Sequence, residues 1–204
     1  MNNKYFVTGI GTGIGKTVAS AVLVEKLNAD YWKPIQSGDL DQSDSLTIES
    51  LISNSQTVIH PETYRLSQPL SPHLSAKLDE IEITLDQFSL PETTRSLIVE
   101  GAGGLMVPLN DKDLILDLIT HLNLETIVVS SNYLGSINHT LLTINTLKQH
   151  GIKIKGILFC GEENAESQSY ILNYTNLPFL GRIPQLKNLD KSGIKEAAQH
   201  INLA

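Results

Sequence analysis

Lys16 and Thr17 close a run in which glycine recurs at positions 9, 11, 13 and 15. The apolar tripeptide Tyr5-Phe6-Val7 before it reads as a buried strand, and Val18-Ala19-Ser20-Ala21-Val22-Leu23-Val24 after it opens a helix. Strand, glycine loop, Lys-Thr and helix together form the arrangement that binds phosphate. Glycines let the backbone fold back and lie against phosphate oxygens. The loop N–H groups and the positive end of the helix dipole then face the anion. Lys16 is placed to reach the β- and γ-phosphates of a nucleotide, and the Thr17 hydroxyl to ligate Mg²⁺. The standard G-x-x-x-x-G-K-[ST] pattern needs glycine at position 10, where the chain has Ile10, so the loop that starts at Gly9 is one residue longer. The dinucleotide fingerprint G-x-G-x-x-G fails as well, because Ile14 stands where its third glycine belongs.

Four further side chains have types suited to chemistry. Glu100 ends the apolar run Ser96-Leu97-Ile98-Val99 and is followed by Gly101-Ala102-Gly103-Gly104. It is either a solvated strand-end carboxylate or an oxygen ligand to the Mg²⁺ held by Thr17, since Mg²⁺ takes one or two carboxylates with waters and phosphate oxygens. Asp44 is a second candidate ligand, although Asp39 and Asp41 share its loop and a helix start after Ser43 explains an acidic residue there equally well. Lys33, between Trp32 and Pro34, is a point charge suited to an anion whose charge changes during reaction. Ser37 is either a plain loop residue or a hydroxyl for substrate.

Elements that would position these groups alternate along the chain. Helix is expected over about 17–28, and the proline at 34 makes Tyr31 to Lys33 a short strand. Ile35 to Gln42 reads as a polar loop, followed by a Ser43-capped helix to about Ser53. Val58-Ile59 and Tyr64-Arg65-Leu66 are possible strand pieces, and Pro69 and Pro72 introduce a helix over about 72–80. Apolar residues at 81, 83, 85 and 88 predict a helix within 82–96. Strands follow at 96–100, 126–130, 153–159 and 179–181, with helices at about 113–121, 164–174 and 191–202. Another helix, capped by Ser136 and stopped by Gly151, carries apolar residues at 137, 141, 144 and 147. This alternation predicts an α/β fold: a mostly parallel β-sheet with helices on both faces, in three αβα layers, as in P-loop NTPases. Parallel strands end on one edge, where ligands bind. The glycine loop, Lys33, Glu100, the loop from Ser131 to Asn138 and Cys160-Gly161 all fall on that edge.

Composition sets the bounds. A chain of 204 residues is expected to form a single domain, 1–204. The net charge of −7 and three unclustered arginines (Arg65, Arg95, Arg182) argue against nucleic acid as a partner. The lone Cys160 precludes an internal disulfide and fits a reducing compartment. No apolar run approaches the ~20 residues of a membrane span and no secretory leader is read at the start, so a cytoplasmic protein away from membranes is expected.

Taken in order, Val7-Thr8-Gly9, Gly15-Lys16-Thr17-Val18, Lys33-Pro34-x-x-Ser37-Gly38, Ser71-Pro72-His73, Val99-Glu100-Gly101-Ala102-Gly103-Gly104, Leu134-Gly135-x-Ile137-Asn138-His139 and Gly181-x-Ile183-Pro184 resemble the dethiobiotin synthetase family. The resemblance implies a homodimeric ligase that uses ATP and Mg²⁺ to make dethiobiotin from 7,8-diaminopelargonate and CO₂ in biotin synthesis. It implies Lys33 and Lys16 as catalytic cations, and Thr17, Asp44 and Glu100 as Mg²⁺ ligands. ATP would be held by Gly13, Ile14, Gly15, Lys16, Thr17, Val18, Glu100, Gly101, Ala102, Gly103, Cys160, Gly161, Ile183, Pro184 and Gln185. Ser37 would touch the substrate, and Gly135, Ser136, Ile137 and Asn138 would offer a helix N-terminus to its distal carboxylate across the dimer.

The chain departs from the family pattern twice. Gly13 replaces an acidic residue, and Cys160 stands where the family has an asparagine that reads adenine. Cysteine is a weak donor and acceptor, so reduced selectivity among nucleoside triphosphates is expected; the alternative is that Cys160 is simply a small buried residue at a strand end. Two rival readings remain. An amide ligase of the cobyrinic-acid type needs an added glutaminase domain, for which 204 residues leave no space. A nucleotide-switched assembly ATPase of the ParA/MinD type carries an extra lysine in its glycine loop, and residues 9–15 contain none.

Overall fold

The computed structural model describes residues 2–186 and 188–203. Strands β1 (Lys4–Gly9), β2 (Asp30–Trp32), β4 (Ile59–His60), β6 (Leu97–Gly104), β7 (Glu125–Ser131), β8 (Ile154–Cys160) and β9 (Phe179–Ile183) form a seven-stranded sheet in the order β4-β2-β6-β1-β7-β8-β9. Neighbouring strands are parallel throughout. A parallel sheet needs both faces covered, and two apolar clusters do this. Helices α1 (Lys16–Leu27), α2 (Asp44–Leu51) and α7 (Lys191–Gln199) close one face through Val22, Leu23, Ile48, Leu51 and Ile194. On the other lie α3 (Pro72–Leu78), α4 (Ile115–Leu122), α5 (Ser136–Gln149) and α6 (Ala165–Thr175), through Ala76, Ile119, Ile144 and Ile171. The expected three-layer architecture is therefore present. Among the described residues no helix is long and apolar enough to cross a membrane.

Three expectations are corrected. Ile35 to Gln42 is not a plain loop: β3 (Ile35–Ser37) pairs in parallel with β5 (Tyr64–Leu66) in a separate two-stranded sheet, and a 3₁₀ turn covers Leu40–Gln42. After Lys33-Pro34 the chain leaves the main sheet, and the buried side chains of Ile35 and Leu66 secure the small one. The second correction is the helix over 82–96, reduced to a 3₁₀ turn at Leu85–Gln87. Its apolar residues at 81, 83 and 85 are spaced by two, so the segment runs extended and inserts Ile83 and Phe88 into the core. Side chains satisfy carbonyls that a helix would have used: Asn110 Nδ2 donates to Ile83 O, and His121 Nε2 lies 3.1 Å from Phe88 O. Third, Gly135 rather than Ser136 is the N-cap of α5, and Ser136 is its first residue. The Ser43 cap does form, its hydroxyl accepting from Leu46 N.

Strand alternation decides which side chains reach the site. Tyr31 pairs with Ile98 and Trp32 with Val99, so the next residues, Lys33 and Glu100, stand side by side. Tyr31 and Ile98 belong to the core under α1, whereas Trp32 and Val99 face the other layer. Two residues on, Lys33 and Glu100 return to the α1 side, facing the start of that helix.

Gly38, at the end of β3, has φ +70°, and a Cβ there would lie 2.4 Å from Pro69 Cα. Replacing it with alanine incurs both the left-handed penalty and a backbone collision. Gly38→Ala should lower stability in a urea titration by at least about 1 kcal/mol and displace the segment from Pro69 to Pro72.

Candidate active site

At the carboxyl edge of the sheet, β1 runs into the glycine loop and α1 begins at Lys16. Gly13 and Gly15 adopt φ of +72° and +94°. A Cβ on Gly13 would meet no atom within 4 Å, so that glycine is required by its dihedral angle rather than by crowding inside the chain. At Gly15 the Cys160 side chain is also close, 3.1 Å from the position of a Cβ. Lys16 curls back over the loop, its ammonium donating to Gly11 O at 3.0 Å.

Four chain segments meet below this loop. The Thr17 hydroxyl lies 2.9 Å from Asp44 Oδ1 and 3.1 Å from Glu100 Oε1. Lys33 Nζ is 2.5 Å from Asp44 Oδ2 and 3.3 Å from Glu100 Oε1. Gln36 Oε1 accepts from Asp44 N, while Gln36 Nε2 donates to Gly38 O, tying α2 to β3. Tyr31 donates its phenolic proton to Glu100 Oε2 at 2.9 Å. Lys33 and Glu100 are both buried.

The electrostatics follow from this packing. Burial works against the charge on Lys33, but the carboxylates of Glu100 and Asp44 outweigh it and hold its pKa above the ordinary lysine value. Asp44 is the mirror case: burial pushes its carboxyl up, and Lys33 more than reverses that, leaving it low. Lys16 is lowered, chiefly by burial, with Lys33 adding repulsion and Glu100 and Asp44 opposing.

This donor set fits a divalent cation. Thr17 has one hydroxyl proton and two carboxylate oxygens within reach, so one of its oxygen–oxygen contacts has no proton in it. A cation shared by the three oxygens relieves that contact. Among the described residues no cluster of three His, Cys, Asp or Glu side chains could hold a metal by itself. Further oxygens must then come from water or phosphate, as Mg²⁺ prefers.

Lys16, Thr17, Lys33, Ser37, Asp44 and Glu100 line one cavity of about 690 Å³, together with Gly13, Gly15, Val18, Ala102 and Gly103. The Ser37 hydroxyl is buried there without a hydrogen-bond partner, leaving it available to a ligand. A second hollow of about 310 Å³ begins at the same loop and is lined by Gly13, Ile14, Gly15, Val18, Cys160, Gly161, Ile183, Pro184 and Gln185. Burial pushes the Cys160 thiol up to about 12, so it is neutral at physiological pH; it sits 3.9 Å from Gly15 O. Gly101 borders neither hollow, and a Cβ there would lie 2.7 Å from Phe6 Cε1. Gly135, Ser136, Ile137 and Asn138 also line neither, although they start α5 on the same sheet edge.

Sequence reasoning gave Tyr31 and Gln36 no role, and it read Pro69 to Pro72 as a helix start and, at Ser71-Pro72, as part of the family pattern rather than as the cavity wall these residues form. Nothing in the spacing of Tyr31 and Gln36 marks them; the strand register and the small β3-β5 sheet bring them in.

Stability should carry the imprint of the Lys33 pair. The depressed Asp44 contributes stability above the unfolded carboxyl value, lost as pH falls through its folded value; the raised Lys33 contributes below the unfolded lysine value, lost as pH rises through its folded one. The ion pair therefore supports the fold from about pH 4 to pH 10. Lys33→Met should cost about 3 kcal/mol at pH 7, and adding Asp44→Asn should restore part of it, both measured by chemical denaturation.

Comparison with known proteins agrees with this geometry. An AAA domain family model, AAA_26, matches residues 3–192. The chain is 47% identical to the ATP-dependent dethiobiotin synthetase BioD of Christiangramia forsetii, over 98% of this chain and 96% of the relative. It is 49% identical to the enzyme of that name from Cytophaga hutchinsonii, covering 92% and 91%. A ParA family ATPase from Chlorobium tepidum superposes with a TM-score of 0.59 at 14% identity, over 98% of this chain and all of that one, a likeness of fold alone. With its phosphate loop, buried Lys33 and paired carboxylates meeting in one cavity, the chain belongs to the ATP-dependent dethiobiotin synthetase family.

Proposed function

We propose that this chain is an ATP- and Mg²⁺-dependent cyclo-ligase that converts 7,8-diaminopelargonate and CO₂ into dethiobiotin, ADP and phosphate. The observation that carries this reading is the meeting of Lys16, Lys33, Thr17, Asp44 and Glu100 in a single cavity. One substrate amine captures CO₂ as a carbamate. A carbamate oxygen then attacks the γ-phosphorus of ATP, and ADP leaves. The second amine adds to the resulting carbamic-phosphoric anhydride, phosphate departs, and the ureido ring closes. Each nucleophile belongs to the substrates, so the protein's task is to bring anions together and hold them in line.

The chain's own residues divide that task. The loop N–H groups and Lys16 bind the terminal phosphates. Thr17, Asp44 and Glu100 would hold Mg²⁺, which neutralises phosphate charge when bound. Lys33, held charged by its two carboxylates, faces the cavity where carbamate and γ-phosphate approach. Ser37 offers its unpartnered hydroxyl to the diamine or its carbamate. The second hollow takes the nucleotide base, against Cys160, Gly161, Ile183, Pro184 and Gln185. Gly135 to Asn138 serve the distal carboxylate across a homodimer, which accounts for their lying outside this chain's own hollows. One domain, a cytoplasmic location, and no nucleic-acid or membrane partner complete the reading. A ParA/MinD-type switch is disfavoured by the absence of a second lysine between Gly9 and Gly15.

Incubating the protein with diaminopelargonate, bicarbonate, Mg²⁺ and ATP should yield dethiobiotin by mass spectrometry; its absence would refute the assignment. Lys33→Gln should lose about 100-fold in turnover or more while ATP binding, followed by calorimetry, is kept. Wild-type activity in that variant would remove Lys33 from catalysis. Because Cys160 offers the base no amide, GTP and CTP should support turnover in competition with ATP; a strong ATP preference would assign base reading elsewhere.

A further inference from the structure

Glu100 is buried at 1% exposure on the floor of the cavity, and its two oxygens meet different groups. Oε1 faces Thr17 and Lys33, the functional side. Oε2 is turned into the protein, where the Tyr31 hydroxyl donates to it. Tyr31 has no exposed surface, and its ring packs in the same core cluster as Val7, Ile48 and Ile98. A phenylalanine would fill that volume equally well. A buried hydroxyl is unfavourable unless bonded, and here its partner is the carboxylate that the site requires.

The register explains how Tyr31 reaches it. Tyr31 and Lys33 project to the same face of β2 and its continuation; Lys33 is level with Glu100 on the neighbouring strand, and Tyr31 lies two residues before that level, deeper in the core. One approaches the carboxylate from the core and the other from the cavity. A carboxylate held only by Lys33 and Thr17 would be free to rotate its oxygens whenever Lys33 moved toward substrate.

We propose that Tyr31 is a positioning residue, which locks the Glu100 carboxylate through Oε2 so that Oε1 stays presented to Thr17 and to the metal. This rests on the reading that Glu100 helps to hold Mg²⁺. Hydrogen bonds that orient a metal-binding carboxylate from behind commonly change metal affinity by 10- to 100-fold.

The test uses the full chain with ADP and Mn²⁺ as a paramagnetic stand-in for Mg²⁺, free and bound metal being counted by electron paramagnetic resonance. Tyr31→Phe should weaken Mn²⁺ binding to the ADP complex by about tenfold and leave metal-free ADP binding unchanged. Tyr31→Leu, which lacks the hydroxyl but packs differently, should weaken the metal to the same degree. In a Glu100→Gln background Tyr31→Phe should add nothing. Metal affinity unchanged by Tyr31→Phe, an effect seen in only one of the two Tyr31 variants, or additive losses with Glu100→Gln would each overturn the proposal. Should Glu100→Gln itself leave Mn²⁺ affinity intact, the metal assignment fails first, and the proposal with it.

Discussion

Two carboxylates sharing one buried ammonium is the constraint around which this molecule is arranged. Asp44 and Glu100 both lie on Lys33 Nζ, at 2.5 and 3.3 Å, so their contacting oxygens are within roughly 6 Å of one another. Two full charges at roughly that separation repel by about 3 kcal/mol at an effective dielectric of about 20. Lys33 offsets this repulsion from inside the protein, and a divalent cation with phosphates would do so from the cavity. The same need appears in the reaction, where a carbamate must approach a triphosphate. A site that keeps buried negative charges apart with placed cations is already organised for anionic partners.

The fold supplies this placement through strands that are individually short. β2 is three residues long, yet its register with β6 places Lys33 beside Glu100, and the turn at Pro34 then moves the chain into the small β3-β5 sheet. That second sheet brings Gln36 and Ser37 to the cavity, and Gln36 connects Gly38 O to the start of α2, where Asp44 sits. Thr17 arrives from the opposite direction, on the first turn of α1. The start of α1, the stretch from Lys33 to Asp44 and the strand end at Glu100 thus bring their polar groups to one place. The hydrogen bonds among those groups are as much a part of the packing as the apolar clusters on either side.

A purely structural account would treat the Lys33 knot as a buried ion pair that stabilises the sheet edge. Buried pairs are poor stabilisers compared with apolar packing, because desolvation consumes most of their attraction. A buried pair beside an unpartnered Ser37 hydroxyl and a glycine loop on the same cavity fits a ligand-binding role better than a stabilising one. Cys160 makes the opposite point. Neutral and packed against Gly15, it serves the local fit of the loop.

By itself the sequence determined the phosphate loop, the alternation of strands and helices, and the residue types of the site, because each is written in local spacing: glycines before Lys16-Thr17, β-branched runs, and carboxylates or lysines at strand ends. It misread 82–96 as helix, since apolar residues two apart reveal their role only once a core exists for Ile83 and Phe88 to enter. Spacing alone left Asp44 level with Asp39 and Asp41 as a candidate metal ligand, and the family resemblance singled it out; its distance from Thr17 is a property of how α2 docks on α1. Tyr31 and Gln36 were invisible for the same reason: their partners are remote in the chain, and only the pairing of β2 with β6 and of β3 with β5 fixes where their polar atoms end.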